Sequence, residues 1–315
     1  MDRVALLLRR RPVRLALVAA TSGGGLALFL AQAHPARLWR SLAALPPGPV
    51  GAAVTAGMIG VVLCALRWRV LLAAGGVEAT APKLFAAFTT GAAVNNLVPA
   101  RGGDAVRVEA VRQQVGASRL AVVGTLLAER LLDGLVLAIL IVVGALLAGV
   151  DGPFLAAGAG LAAAAAAGVV VAPRLPALRG RLRALVDGFA AFRTPRAAAP
   201  ALAYSVAIWA ADVVMYAALA RGFGLDAGIG SIMLIVGAGN LALAVPATAA
   251  GLGSFELVTL AGAHGIGAGG EALAAFVLAV HAVIVLPPTL VGAALARVAL
   301  PRAFRVAAPA APVQP

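Results

Sequence analysis

Charge and cysteine are what this chain has least of. Charged residues fill 12% of its 315 positions, against the ~25% that a soluble domain uses to face water. A soluble catalytic domain is excluded on that ground. The single cysteine, Cys64, rules out internal disulfides and cysteine-built metal clusters. His34, His264 and His281 lie far apart without metal-ligand spacing, so no metal and no other cofactor is expected. Walker A, H-E-x-x-H and G-x-S-x-G motifs are missing, since Gly251-Leu252-Gly253-Ser254 has its serine misplaced. Gly265-Ile266-Gly267-Ala268-Gly269-Gly270 partly mimics a dinucleotide fingerprint, yet it falls between apolar segments with no strand before it. The chain is therefore not expected to be an enzyme.

What is abundant is apolar sequence. Hydrophobic residues make up 62% of the chain and the mean hydropathy is +1.01. Recurring long apolar runs read as membrane-spanning helices, and plentiful Gly and Ala let such helices approach closely. Lys and Arg outnumber Asp and Glu by 25 to 12, a net charge of +13. The arginines lie between apolar runs rather than on one face, so nucleic acid is not an expected partner. They suit cytoplasmic loops and anionic headgroups instead.

Six full spans are expected, at about 13–31, 50–66, 120–148, 153–172, 200–220 and 272–296. Arg3, Arg9, Arg10, Arg11 and Arg14 place the N-terminus in the cytoplasm. The first span reads as a retained signal anchor, while Ala31-Gln32-Ala33 leaves a cleavable signal peptide as its rival. Arg67-Trp68-Arg69 reads as an inner-interface flank. The basic stretch Arg174–Arg196 reads as a cytoplasmic topology determinant, with an anionic-lipid site as the alternative. Arg297, Arg302 and Arg305 put the C-terminus inside, before a disordered Pro/Ala tail at 307–315. The expected unit is one integral-membrane domain over 1–306.

Two pieces, 84–119 and 229–268, are too weak or too broken to read as single spans. Sixteen helical residues reach ~24 Å, short of the ~30 Å hydrocarbon core. We read both as re-entrant hairpins entering from opposite faces; two tilted spans apiece preserve parity equally well. Their turns match: Asn96, Pro99, Gly102-Gly103 and Asp104 in the first, Asn240, Pro246, Gly251, Gly253 and Glu256 in the second. Proline ends the incoming helix and glycines allow the reversal. Asp104 and Ser254 are expected as N-caps of the outgoing helices. The fold class is thus an all-α polytopic bundle whose opposed hairpins form an inverted repeat around a midplane site.

The run Asn96–Arg107, followed by Glu129-Arg130-Leu131-Leu132-Asp133, resembles the transmembrane, flippase-like region of lysylphosphatidylglycerol synthases. Pro246 with Gly251-Leu252-Gly253-Ser254-Phe255-Glu256 is similar to that family's second signature, and the resemblance extends from about Arg67 to about Arg297. Ala249 and Ala250 depart from it, standing where the family tends to have Pro and Gly. The resemblance implies a stand-alone member without the synthase domain, translocating an amphiphilic lipid or lipid-linked precursor across the bacterial inner membrane. A non-catalytic scaffold for a lipid-modifying or lipid-linked glycosylation pathway, with a soluble or membrane synthesis partner, is the alternative.

Ionisable groups at membrane depth usually face a bundle interior or a wet cavity. Arg101, Arg107 and Arg130 are expected to attract a lipid phosphate. Glu129, Asp133 and Glu256 would orient them or receive a cationic headgroup. Arg130 reaches Asp133 at i,i+3, and an ion pair locking helices is the competing reading. Asp212 reads as a helix–helix hydrogen bond, with a second polar anchor or a proton site as the alternative. His281 reads as a satisfied interior residue, with a proton relay as the alternative, and 105–115 reads as an interfacial helix or a polar connector.

Overall fold

The computed structural model describes residues 11–97, 102–150, 152–171, 183–244, 249–265 and 272–299. Pro99, Arg101 and Pro246, three of the expected site residues, lie outside that set, as do most of the basic stretch and the C-terminal tail. Among the described residues the regular structure is helical, with no strand. The order is α1 (Arg11–Ala33), α2 (Pro35–Ala43), α3 (Pro47–Ala74), α4 (Ala81–Leu97), α5 (Gly102–Val115), α6 (Arg119–Ala148) and α7 (Pro153–Val171). There follow α8 (Arg183–Asp187), α9 (Pro195–Gly222), α10 (Ile229–Ala244), α11 (Ser254–Gly265) and α12 (Leu273–Ala299). A short 3-10 turn, Ala249–Gly251, stands between α10 and α11. Ala- and Leu-rich runs favour helix, and local chemistry sets the ends. Prolines occupy the first turns of α3 and α9, Thr194 caps α9 through the Ala197 amide, and Gly149 closes α6 in the left-handed region.

Helices α3, α6, α9 and α12 are long and apolar enough to cross a membrane. Helices α1 and α7, where two further spans are expected, are 23 and 19 residues long. The chain is a polytopic helical membrane protein. Its helices also fall into two matching series. Pro47 and Pro195, which begin α3 and α9, are 148 positions apart, as are Ala81 and Ile229, which begin α4 and α10. Helices α5 and α11 then follow as the outgoing arms of two hairpins, and α6 and α12 as long terminal helices.

Helices α3 and α9 pack on each other along their lengths. Gly222 meets Pro49, Gly57 meets Met215, Gly60 meets Ala211, and Arg67 meets Ser205. One number rises as the other falls, so the pair is antiparallel. The hairpin arms cross over: α4 packs on α12 of the other series, and α10 on α6. Gly292 seats α4 against the Thr89 backbone, and Gly144, 148 positions earlier, seats α10 against Met233 and Gly230. The turn Ala249–Gly251 packs against α4, so the second hairpin reaches the first.

Two expectations change. Helix α3 does not stop at residue 66 but continues to Ala74. Arg67 and Trp68 are therefore buried at 2% and 0% exposure rather than flanking an interface. Helix α5 is no surface connector either, because Val106 to Val111 are all buried. The capping differs as well. Asp104 occupies the third position of α5, and it is Asn95, across the hairpin, whose Oδ1 accepts the Gly103 amide at 2.8 Å.

Candidate functional site

Between α3, α4, α9, α10 and α12 lies a cavity of about 340 Å³. Most of its wall is apolar, including Phe88, Ile208, Trp209, Met215 and Val283. Into this wall the helices bring Asn95 and Asn96 from α4, Asp133 from α6, Asp212 from α9 and Asn240 from α10. Both series contribute, and among the described residues no cationic side chain lines it. Asn96 donates to Thr289 at 2.8 Å and Asn240 donates to the Val236 carbonyl at 3.0 Å. Asp212 has no hydrogen-bond partner among the described residues, and Trp209 Nε1, also in the wall, is buried without one. Asp212, which lines the cavity, is free to meet a polar occupant.

Beside the cavity four charges interlock. The Arg67 guanidinium donates to both Asp133 oxygens, and also to Ser205 at 3.0 Å. It stands 3.8 Å from Glu129 Oε1, while Arg107 holds Glu129 Oε2 at 2.7 Å. Arg107 is clasped between the rings of Trp68 and Phe88, at 4.1 and 4.6 Å, a geometry that suits a planar delocalised cation. Trp68 is fixed in turn by Thr125 at 3.1 Å. Two cations and two anions balance, so the network ties α3, α5, α6 and α9 together without net buried charge.

The second hairpin carries its own pair. His281 Nδ1 lies 2.6 Å from Glu256 Oε1, and its Nε2 lies 2.8 Å from the Ala250 carbonyl. Glu256 Oε2 accepts the Gly253 amide at 2.7 Å. Glu256 is the third residue of α11, as Asp104 is of α5, and with Gly253 it forms half of a capping box. Phe255 packs on the imidazole, with ring centres 4.4 Å apart. Ala250 sits at φ 51° in the left-handed region, followed by Gly251 at 81° and Gly253 at 83°. The turn thus adopts, at Ala250, the conformation that a glycine takes without cost.

The structure therefore gathers Arg107, Glu129 and Asp133 into one network and places Asn96 and Asp133 at the cavity. It corrects two pairings. Arg130 does not reach Asp133, which Arg67 already holds; it points away, half exposed, 3.7 Å from Asp104. Glu256 does not orient an arginine, because His281 and the Gly253 amide take both of its oxygens. Gly102 and Gly103 belong to the first turn of α5, where a side chain on Gly103 would run into the Gly91 carbonyl of α4. Gly251 and Gly253 are backbone requirements of the second turn. Sequence reasoning missed Arg67 as a site residue. Its signal was the unbroken apolar run Val70-Leu71-Leu72-Ala73-Ala74, which puts Arg67 inside the helix and not at its end.

Buried ion pairs, a cavity whose apolar wall carries carboxylates and amides, and paired hairpins within an apolar helical bundle define a multi-pass membrane protein with ionisable groups in its interior. Residues 13–292 match the family model described as the lysylphosphatidylglycerol synthase TM region. The chain belongs to that family of membrane domains, which is associated with lipid-related functions. No curated protein matches it.

Proposed function

We propose that this protein translocates an amphiphilic membrane lipid, or a lipid-linked precursor, across the bacterial inner membrane, and that it does so without catalysing a covalent change. The central cavity carries the reading. It sets two carboxylates and three amides in an apolar wall shared by both helix series, where uncompensated polar groups are costly. A headgroup would pass there while its tails stay in the bilayer. Arg101 and Arg130, the latter half exposed beside Asp104, are the groups we assign to the lipid phosphate.

Around this site we infer six full spans and two opposed re-entrant hairpins within a single unit over 1–306, with both termini cytoplasmic. Helices α4 and α10, of 17 and 16 residues, reach ~25 Å at 1.5 Å per residue, less than the ~30 Å core. The antiparallel packing of α3 on α9 supports halves of opposite orientation, the pattern of an inverted repeat.

Reconstitution tests the proposal. Purified protein in phosphatidylethanolamine–phosphatidylglycerol vesicles with a panel of labelled lipids is expected to exchange at least one of them between leaflets. Asp212→Asn, which breaks no visible bond, is expected to slow that exchange at unchanged thermal stability. Arg130→Gln is expected to do the same. Altered headgroups would indicate an enzyme instead. A copurifying synthesis partner without exchange would indicate a scaffold.

A further inference from the structure

The Glu256–His281 pair is not needed to line the cavity, yet its geometry is restrictive. Both imidazole nitrogens face acceptors, the Glu256 carboxylate at 2.6 Å and the Ala250 carbonyl at 2.8 Å. Two protons must lie along those two lines for both contacts to be hydrogen bonds. They are present as imidazolium with carboxylate, or as neutral imidazole with carboxylic acid. The charge sum is zero either way. Remove one proton to water, and a lone pair on one ring nitrogen faces an oxygen lone pair. Either the Glu256 contact or the Ala250 contact must then part.

Ala250 makes that choice matter. Its left-handed backbone, φ 51°, is strained for a residue with a Cβ, and the imidazole is the side chain that holds its carbonyl. The turn it shapes packs on α4 and α1. Buried polar side chains are also spaced between the cavity and the pair. Asp212 lines the cavity, and Tyr216 follows one turn later on α9. The Tyr216 and Thr259 hydroxyls both flank Gly239, and Glu256 lies one turn before Thr259 on α11. Tyr216 and Thr259 are both fully buried, and neither oxygen has a hydrogen-bond partner among the described residues.

We propose that the Glu256–His281 pair is a proton-binding site, loaded from the central cavity, whose proton holds the second hairpin's turn against α4. The neighbours leave the pair to itself. Helix α1 presents the Ser22–Leu26 backbone to Gly253, α10 presents Gly239, and α4 carries one charged residue, Lys83, exposed in its first turn. Helix α9 brings the Tyr216 hydroxyl, with Asp212 one turn back; on α12 the remaining charge among the described residues is Arg297, in its last turn. The described conformation is the loaded one. Release of the proton frees the Ala250 carbonyl or the Glu256 carboxylate, and the turn leaves α4. This assigns a driving ion to the second hairpin's turn, a step beyond the lipid translocation on which it rests, and it is measurable without any lipid substrate.

Spin labels at Leu97 and Leu252, both exposed, on a Cys64→Ala background in nanodiscs of the same two phospholipids, report the α4-to-turn distance. As the pH is raised from about 5 to about 9, a window that contains the one in which a free imidazole changes charge, the distance is expected to lengthen in a single step. Glu256→Gln keeps all three hydrogen bonds with no proton to release, so it is expected to hold the short distance throughout. His281→Phe keeps the ring contact and loses both bonds, and is expected to show the long distance throughout. A wild-type distance that ignores pH, or a step that survives in Glu256→Gln, overturns the proposal. Should His281→Phe fail to fold, Glu256→Gln still decides. Lipid exchange in vesicles is scored separately: a pH-driven step without exchange sinks the translocation reading and spares the proton site, and exchange without the step does the reverse.

Discussion

The two hairpins are built alike and fastened differently. In the first, the outgoing helix is bound to the long helix α6 by Arg107 and Glu129, with Arg67 and Asp133 alongside. In the second, the outgoing helix is bound to α12 by Glu256 and His281. The first fastening rests on guanidinium groups, which never release their protons in a protein, whereas the second rests, in our proposal, on a proton shared between a carboxylate and an imidazole. One fastening is therefore permanent and the other is conditional. The joint between an outgoing arm and the long helix that follows it is thus a lock on one side and a latch on the other.

The largest expected effect breaks the lock. Glu129→Gln leaves Arg107 and Arg67 short of a buried anion and is expected to cost about 3–5 kcal/mol, read as a large drop in thermal midpoint in detergent. Glu256→Gln is expected to cost far less, because its amide reproduces every contact. Equal losses in the two variants would erase the contrast. Next comes Gly103→Ala, which forces α5 away from the Gly91 carbonyl and is expected to cost about 1–3 kcal/mol by overpacking. The matching substitution at an open glycine, Gly48→Ala, with nothing near its Cβ, provides the control.

Arg107→Lys keeps the charge yet loses the flat face that fits between Trp68 and Phe88. A loss of about 1 kcal/mol is expected, and a neutral result would show that charge alone matters there. Ala250→Gly removes the left-handed penalty, and a gain of about 1 kcal/mol is expected. The smallest effect concerns Glu109 at the end of the first hairpin, where Arg112, then Gln113 and Arg119, hold its carboxyl down to about 2. A depressed carboxylate stabilises fully above its ordinary value and loses that contribution as pH falls through about 2. Wild type and Glu109→Gln are therefore expected to converge in melting temperature only at strongly acid pH.

Much of this was legible in the chain. Apolar runs located the helices because lipid demands them, and the Asn, Pro, Gly and acid succession located both hairpins because a reversal in a helix needs those residues. Correspondence between the halves followed from the same turns. The pairing of charges did not follow. Arg67 stands next to Trp68 and Arg69, which together mimic an interfacial flank, and its partners lie more than sixty residues away. Glu129 and Asp133 share the inward face of α6, but Arg130, one residue round the helix at about 100°, is turned off that face. Spacing alone showed that Arg130 was within reach of Asp133; only packing decides which cation arrives first.

The crossing of the hairpin arms has a further consequence. Helix α4 finds its bed at Gly292 and α10 finds its bed at Gly144, so each half of the chain is completed by a limb of the other. Neither is a self-sufficient folding unit. Cutting the backbone between residues 171 and 183 should leave two fragments that are unstable when made singly and reassemble when made together, held by mutual insertion rather than by the severed peptide link.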